Sequence, residues 1–150
     1  MKQRTRARSL ALQVLYEVDL SNHLPGAVFS QRLKDFSLAE DPKKTEELQE
    51  FARNIIFGVI PLTEKLDQAI AEYAPDWPLD QIAPIDRNIL RIAFWEFGIS
   101  RKTPVKVAIN EAVELAKIYG SDAAPGFVNG VLGSLAKHKN EIYQSVVKGL

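Results

Sequence analysis

The chain has 150 residues, 46% of them apolar and 25% charged, with 19 basic against 19 acidic side chains and no cysteine. That is the size and make-up of one domain able to bury its own core, and the missing cysteine excludes disulfides, thiolate metal sites and a cysteine nucleophile. No apolar run approaches the ~20 residues of a membrane helix, and the mixed stretch that follows the basic start makes a poor signal peptide, so the chain reads as cytoplasmic.

The balanced total hides a segregation. Lys2, Arg4, Arg6 and Arg8 open the chain with no acid before Glu17. Residues 35–50 are mainly acidic, with Lys43 and Lys44 among them, and from Arg101 onward bases again outnumber acids. A basic start on a neutral chain fits local contact with a polyanion better than a uniformly basic coat does.

Residues 2–20 read as a helix with Ala7, Ala11, Val14, Leu15 and Val18 on its apolar face. Arg4 and Arg8 would fall near that face if the helix began so early, so the expectation is that they overhang the core in a first turn or a projecting arm. Four bases at a helix N-terminus oppose the macrodipole, which favours either a polyanionic ligand or a merely solvated end as their reason. Pro25 and Gly26 mark a turn, residues 27–36 a short helix, and residues 37–44 a polar loop around Pro42. A helix restarting at Thr45 carries Leu48, Phe51, Ala52, Ile55, Ile56 and Val59, and Pro61 interrupts it. Residues 63–73 form a further helix, and Pro75, Trp77 and Pro78 a rigid connection.

Pro84 suits the first turn of the next helix and Gly98 its stop. Ile85, Ile89, Leu90, Ala93, Phe94 and Phe97 mark the buried face; Arg87, Asn88, Arg91 and Trp95 share the other side. Arg91 with Trp95 suits stacking on a base and pairing with a phosphate; the alternative is Arg91 bonded to Glu111 or Asp86, with Trp95 capping the core. Residues 103–135 read as two helices, with Thr103 as N-cap, Pro104 at the first position, a stripe of Ala108, Ala112, Leu115 and Tyr119, a stop at Gly120, and a second stripe of Phe127, Val131, Leu132 and Leu135. Strand alternation is absent. His23 and His138 have no partners at metal-ligand spacing, and no nucleophile elbow, Walker loop or dinucleotide fingerprint occurs. No metal, no cofactor and no catalysis are expected.

The run ARSLALQVLY near the start, DRNILRIAFWE in the middle and VKVAINEAVELAKIYG followed by FVNGVL together resemble the NusB family, in an order and spacing that cover nearly the whole chain. The resemblance implies an all-α fold of about seven helices in two packed small bundles, here roughly residues 1–75 and 79–150 of a single 1–150 RNA-binding domain. It implies transcription antitermination: binding of the single-stranded boxA element of nascent ribosomal RNA together with NusE, a small-subunit ribosomal protein, and delivery to the RNA polymerase elongation complex with other Nus factors. It maps the family's RNA contacts onto Lys2, Arg4, Arg6 and Arg8, with Arg91 and Trp95 offered to RNA or partner, and Glu96 and Phe127 to the protein partner. Some relatives self-associate, so a homodimer belongs to the picture. The chain departs from the pattern at Thr5, where relatives carry a further arginine, and at Gly133, often Asp. In residues 122–126, the family's lysine-type phosphate contact before Phe127 is absent. Two other readings of the resemblance are a protein-interaction or dimerisation module and an accessory domain like that preceding some rRNA cytosine methyltransferases.

Overall fold

The computed structural model describes residues 1–36, 40–76 and 79–148; Trp77 and Pro78 of the expected rigid connection, and residues 37–39 of the polar loop, lie outside these. The chain divides into two compact units, Met1–Ile60 and Pro61–Leu150. The expected division near residue 75 therefore moves to residue 60, because the helix at 63–73 packs with the helices that follow it. Among the described residues every regular element is helical, and no helix is long and apolar enough to cross a membrane.

In the first unit, α1 (Gln3–Leu20) packs against α2 (Pro25–Leu33) and α3 (Pro42–Val59). Ala7, Leu10, Ala11, Val14 and Leu15 are buried, as are Val28 and Phe29 of α2 and Leu48, Ala52, Ile55, Ile56 and Val59 of α3. The helix expected from Thr45 begins three residues earlier. Asp41 is its N-cap, accepting a hydrogen bond from the Lys43 amide at 3.1 Å, and Pro42 fills the first position, where a missing N–H costs nothing. Arg32 of α2 reaches α1 at two points, donating to Gln13 Oε1 and Glu17 Oε1, each at 3.0 Å. The His23 hydrogen bond, with help from Arg32, holds the Glu17 carboxyl below its ordinary value.

In the second unit α4 (Thr63–Tyr73), α5 (Pro84–Phe94), α6 (Val105–Tyr119), α7 (Ala124–Lys137) and the short α8 (Lys139–Tyr143) pack with α5 at the centre. α5 is buried all round from Asn88 to Phe94, so its supposed wet side is closed. Its polar groups find partners there: Asn88 donates to the Pro84 carbonyl, Arg91 donates to Asn88 Oδ1, and Arg91 Nε and Nη2 grip both carboxylate oxygens of Asp67 on α4 at 2.8 and 2.7 Å. Two parallel charge-assisted bonds of this kind are the strong form of the ion pair.

Gly98 does not stop the helix. The chain runs through it as a π-helical turn, Trp95–Ser100, that ends at Arg101 in the left-handed conformation. A Cβ at Gly98 would lie 2.8 Å from the Phe94 ring, so the glycine makes room for that ring. Thr103 does not cap α6 either: its hydroxyl donates to the buried Glu96 carboxylate at 2.9 Å, and Pro104 holds the cap position. Gly120 does end α6, turning to extended backbone, and a side chain there would have no space. A Cβ there would meet the Ala124 Cβ at 2.5 Å and Asp86 Oδ1 at 3.1 Å. That oxygen of Asp86 is buried without a hydrogen-bond partner, and burial pushes the carboxyl above its ordinary value of 3.8.

Two predictions follow from this packing. Asp67→Ala leaves the Arg91 guanidinium buried without its counter-charge and lowers stability by about 3 kcal/mol in urea denaturation, whereas Asp67→Leu combined with Arg91→Met recovers most of the loss. For Asp86, a folded-state pKa above the unfolded value means that the stabilisation is complete below the unfolded pKa and is lost as pH rises through the folded one. Asp86→Asn, which stays neutral, melts near the parent protein at pH 3 and above it at pH 7; equal shifts at both pH values would exclude this account.

Candidate nucleic-acid interface

α1 begins at Gln3, and this decides what its basic residues do. With helical geometry from the first residues, positions 4 and 8 lie one turn apart on one face, and both guanidinium carbons sit 5.0 Å from the centre of the Phe51 ring on α3. Their exposures differ. Arg8 is 2% exposed, a buried part of the helix pair, while Arg4, like Lys2 and Arg6, is exposed. Of the two arrangements expected for these residues, a first turn or a projecting arm, the structure has the ordered first turn of a helix. Arg8 is a packing residue in this structure, since a side chain so enclosed offers no surface to a phosphate.

Arg4 lines a groove of 580 Å³ together with Lys43, Lys44 and Phe51. Glu46, Glu47 and Glu50 also line it. Two of these carboxylates have close bases, Glu47 with Lys44 at 3.6 Å and Glu50 with Arg53 at 2.8 Å. Neither Lys2 nor Arg4 has a carboxylate partner among the described residues. A cation within ~6 Å of an aromatic centre is held by the ring quadrupole without being neutralised, so Arg4 keeps its full charge and its edge N–H groups for an anion.

The remaining sequence candidates lie in the second unit. Arg91 is buried and bound bidentately to Asp67, so its expected role at the surface does not fit its position; it bonds an acid, as the alternative held, and that acid is Asp67. Glu96 is 2% exposed and receives the Thr103 hydroxyl, which leaves no surface for a protein partner. Trp95 opens the π-helical turn and Phe127 lies in the first turn of α7, both half-buried. Sequence reasoning missed Lys43, Lys44 and Phe51 as groove residues. The Asp41-Pro42 pair was the available signal, because an N-cap followed by proline starts the helix there and carries both lysines onto its first turn. No group of three or more potential metal ligands occurs among the described residues, and the groove holds cations, acids and an aromatic ring suited to binding.

The fold defines the class: an all-helical protein, every regular element of its described residues being a helix. The chain belongs to the NusB family of transcription antitermination factors, whose family model matches residues 5–137. It is 44% identical over 140 residues to the transcription antitermination protein NusB of Roseiflexus sp. (strain RS-1), covering 92% of this chain and 94% of that protein. Among solved structures, NusB of T. maritima superposes with a TM-score of 0.75 at 30% identity, covering 94% of this chain and 99% of that one. A crystal structure of the antitermination factors NusB and NusE in complex with double-stranded RNA contains a chain that superposes with a TM-score of 0.74 at 26% identity, covering 97% of this chain and 98% of that one.

The two arginines on Phe51 separate by experiment. Arg8→Ala removes a buried side chain and its contacts and lowers the stability read from urea denaturation by about 2–4 kcal/mol. Arg4→Ala, at the exposed end, shifts stability by less than about 1 kcal/mol. Equal losses would contradict the assignment of one to packing and the other to the surface.

Proposed function

We propose that this antitermination factor binds the boxA element of nascent ribosomal RNA transcripts together with NusE, and that the assembly accompanies RNA polymerase during elongation. The observation that carries the RNA part is Arg4: exposed, laid on the Phe51 ring, without a carboxylate partner among the described residues, at the edge of a groove that Lys43 also lines. The NusB–NusE–RNA complex of a structural relative supports the pairing with a ribosomal protein.

The mechanism is binding. Lys2, Arg4, Arg6 and Lys43 neutralise backbone phosphates and release counter-ions, the term that dominates affinity for nucleic acid. The groove's carboxylates repel phosphates and accept hydrogen bonds from exocyclic amino groups, so a single strand lies with its backbone toward the bases of the first turn and its nucleobases toward Glu46 and Phe51. A handful of cationic contacts gives only weak, salt-sensitive binding, and NusE supplies the additional surface and contacts.

Titration of a boxA oligonucleotide, with and without NusE, tests the reading. Arg4→Ala weakens binding several-fold and reduces the slope of log K against log salt by about 0.7, the value for one phosphate of a single strand; NusE tightens binding to both proteins. An unchanged slope in Arg4→Ala excludes this surface, and the absence of any gain with NusE excludes the joint complex.

A further inference from the structure

A second cationic feature lies in the second unit, where the π-helical turn ends. Arg101 has φ 60°, the one non-glycine residue with positive φ among those described. Its amide donates to the Glu96 carbonyl at 3.0 Å, closing the π turn. Its guanidinium lies 3.7 Å from the centre of the Tyr143 ring, and Nη2 reaches Asn140 Oδ1 at 3.4 Å. All five N–H groups of a guanidinium lie in its plane, so stacking fixes that plane and leaves its edge available.

Arg101 and Lys139 line one small notch of 150 Å³, with Thr103, Val105 and Asn140. No carboxylate lines it. Neither cation has an acidic partner among the described residues, and the neighbouring acids are engaged: Glu141 with His138 at 2.8 Å, Glu96 with the Thr103 hydroxyl at 2.9 Å. The notch thus differs from the groove at Arg4, which three glutamates share. Its volume is below the ~300–1,000 Å³ that drug-sized ligands fill, so the occupant is one compact group. Two full positive charges, one of them a pre-oriented fork, fit a tetrahedral phosphate. The first turn of α6 at Val105 adds a partial positive charge and is the smaller contribution.

We propose that this notch binds one phosphate of the RNA backbone, giving the second unit its own contact with the transcript. The inference rests on the RNA-binding reading above and adds to it a site whose failure can be told apart from failure at Arg4.

The full chain is titrated with the same oligonucleotide over a salt series as parent protein, Arg4→Ala, Lys139→Gln and Arg101→Asn, asparagine being chosen because it tolerates the left-handed backbone. Lys139→Gln, a change at an exposed side chain, keeps the test readable if Arg101→Asn destabilises the turn. A parallel arm follows backbone amide NMR shifts with inorganic phosphate at constant ionic strength. The expected result is a slope reduced by about 0.7 in each notch variant, with a further reduction when either is combined with Arg4→Ala. Unchanged slopes in both notch variants overturn the proposal. Should phosphate nonetheless give saturable shifts at Val105 and Asn140 in that case, the notch takes a free anion and the RNA assignment still falls. Reduced slopes in the notch variants with none in Arg4→Ala keep the notch and remove the groove.

Discussion

Arg91 carries a full positive charge into the middle of the second unit, and the Asp67 carboxylate is what lets it stay there. A guanidinium enclosed by apolar helices is tolerable only when its N–H groups are answered. Two are answered by Asp67 and another by Asn88, whose own amide is tied to the Pro84 carbonyl. This chain of bonds lets α5 present polar residues on one side and still be covered all round, with α4, α6 and α7 against it. The ion pair therefore fixes α4 on α5 and places α4 in the second unit.

The first unit uses an aromatic ring for a similar purpose. Phe51 receives one guanidinium that is buried and one that is exposed. The pair joins packing to recognition: Arg8 settles the seating of α1 on α3, and the same seating aims Arg4 at solvent above the ring. A surface arginine usually loses several rotors when it meets a ligand. Arg4 is already partly ordered by its contact with the ring, so less of that loss falls on binding.

Most of the architecture could be read from residue pattern. The helix at 63–73 has the predicted bounds, Ala108, Ala112 and Leu115 are buried, and Lys106, Asn110, Glu114 and Lys117 are exposed as the 3.6-residue period requires. What escaped was set by contacts distant in sequence. Arg87, Asn88, Arg91 and Trp95 keep helical spacing whether their side of α5 meets water or Asp67, and periodicity cannot distinguish those cases. Arg8 carries a charge, which suggests a surface, but its position on the α1–α3 face is decided by a helix start at Gln3 that no cap residue signals. Lys43 and Lys44 were visible only as charges offsetting an acidic stretch, because the Asp41-Pro42 start was read as loop. Family resemblance supplied antitermination, which composition and spacing do not encode.

The π-helical turn at Trp95–Ser100 holds one residue more than an α-helical path through the same turns would need. An α-helical path with the same number of residues would turn everything beyond it by about 100° more around the helix axis. Arg101 would leave Tyr143, and Thr103 would leave Glu96. The wide turn is therefore what carries both residues to their partners, and Gly98, pressed against the Phe94 ring, and the buried Glu96 are the positions in it that tolerate least change.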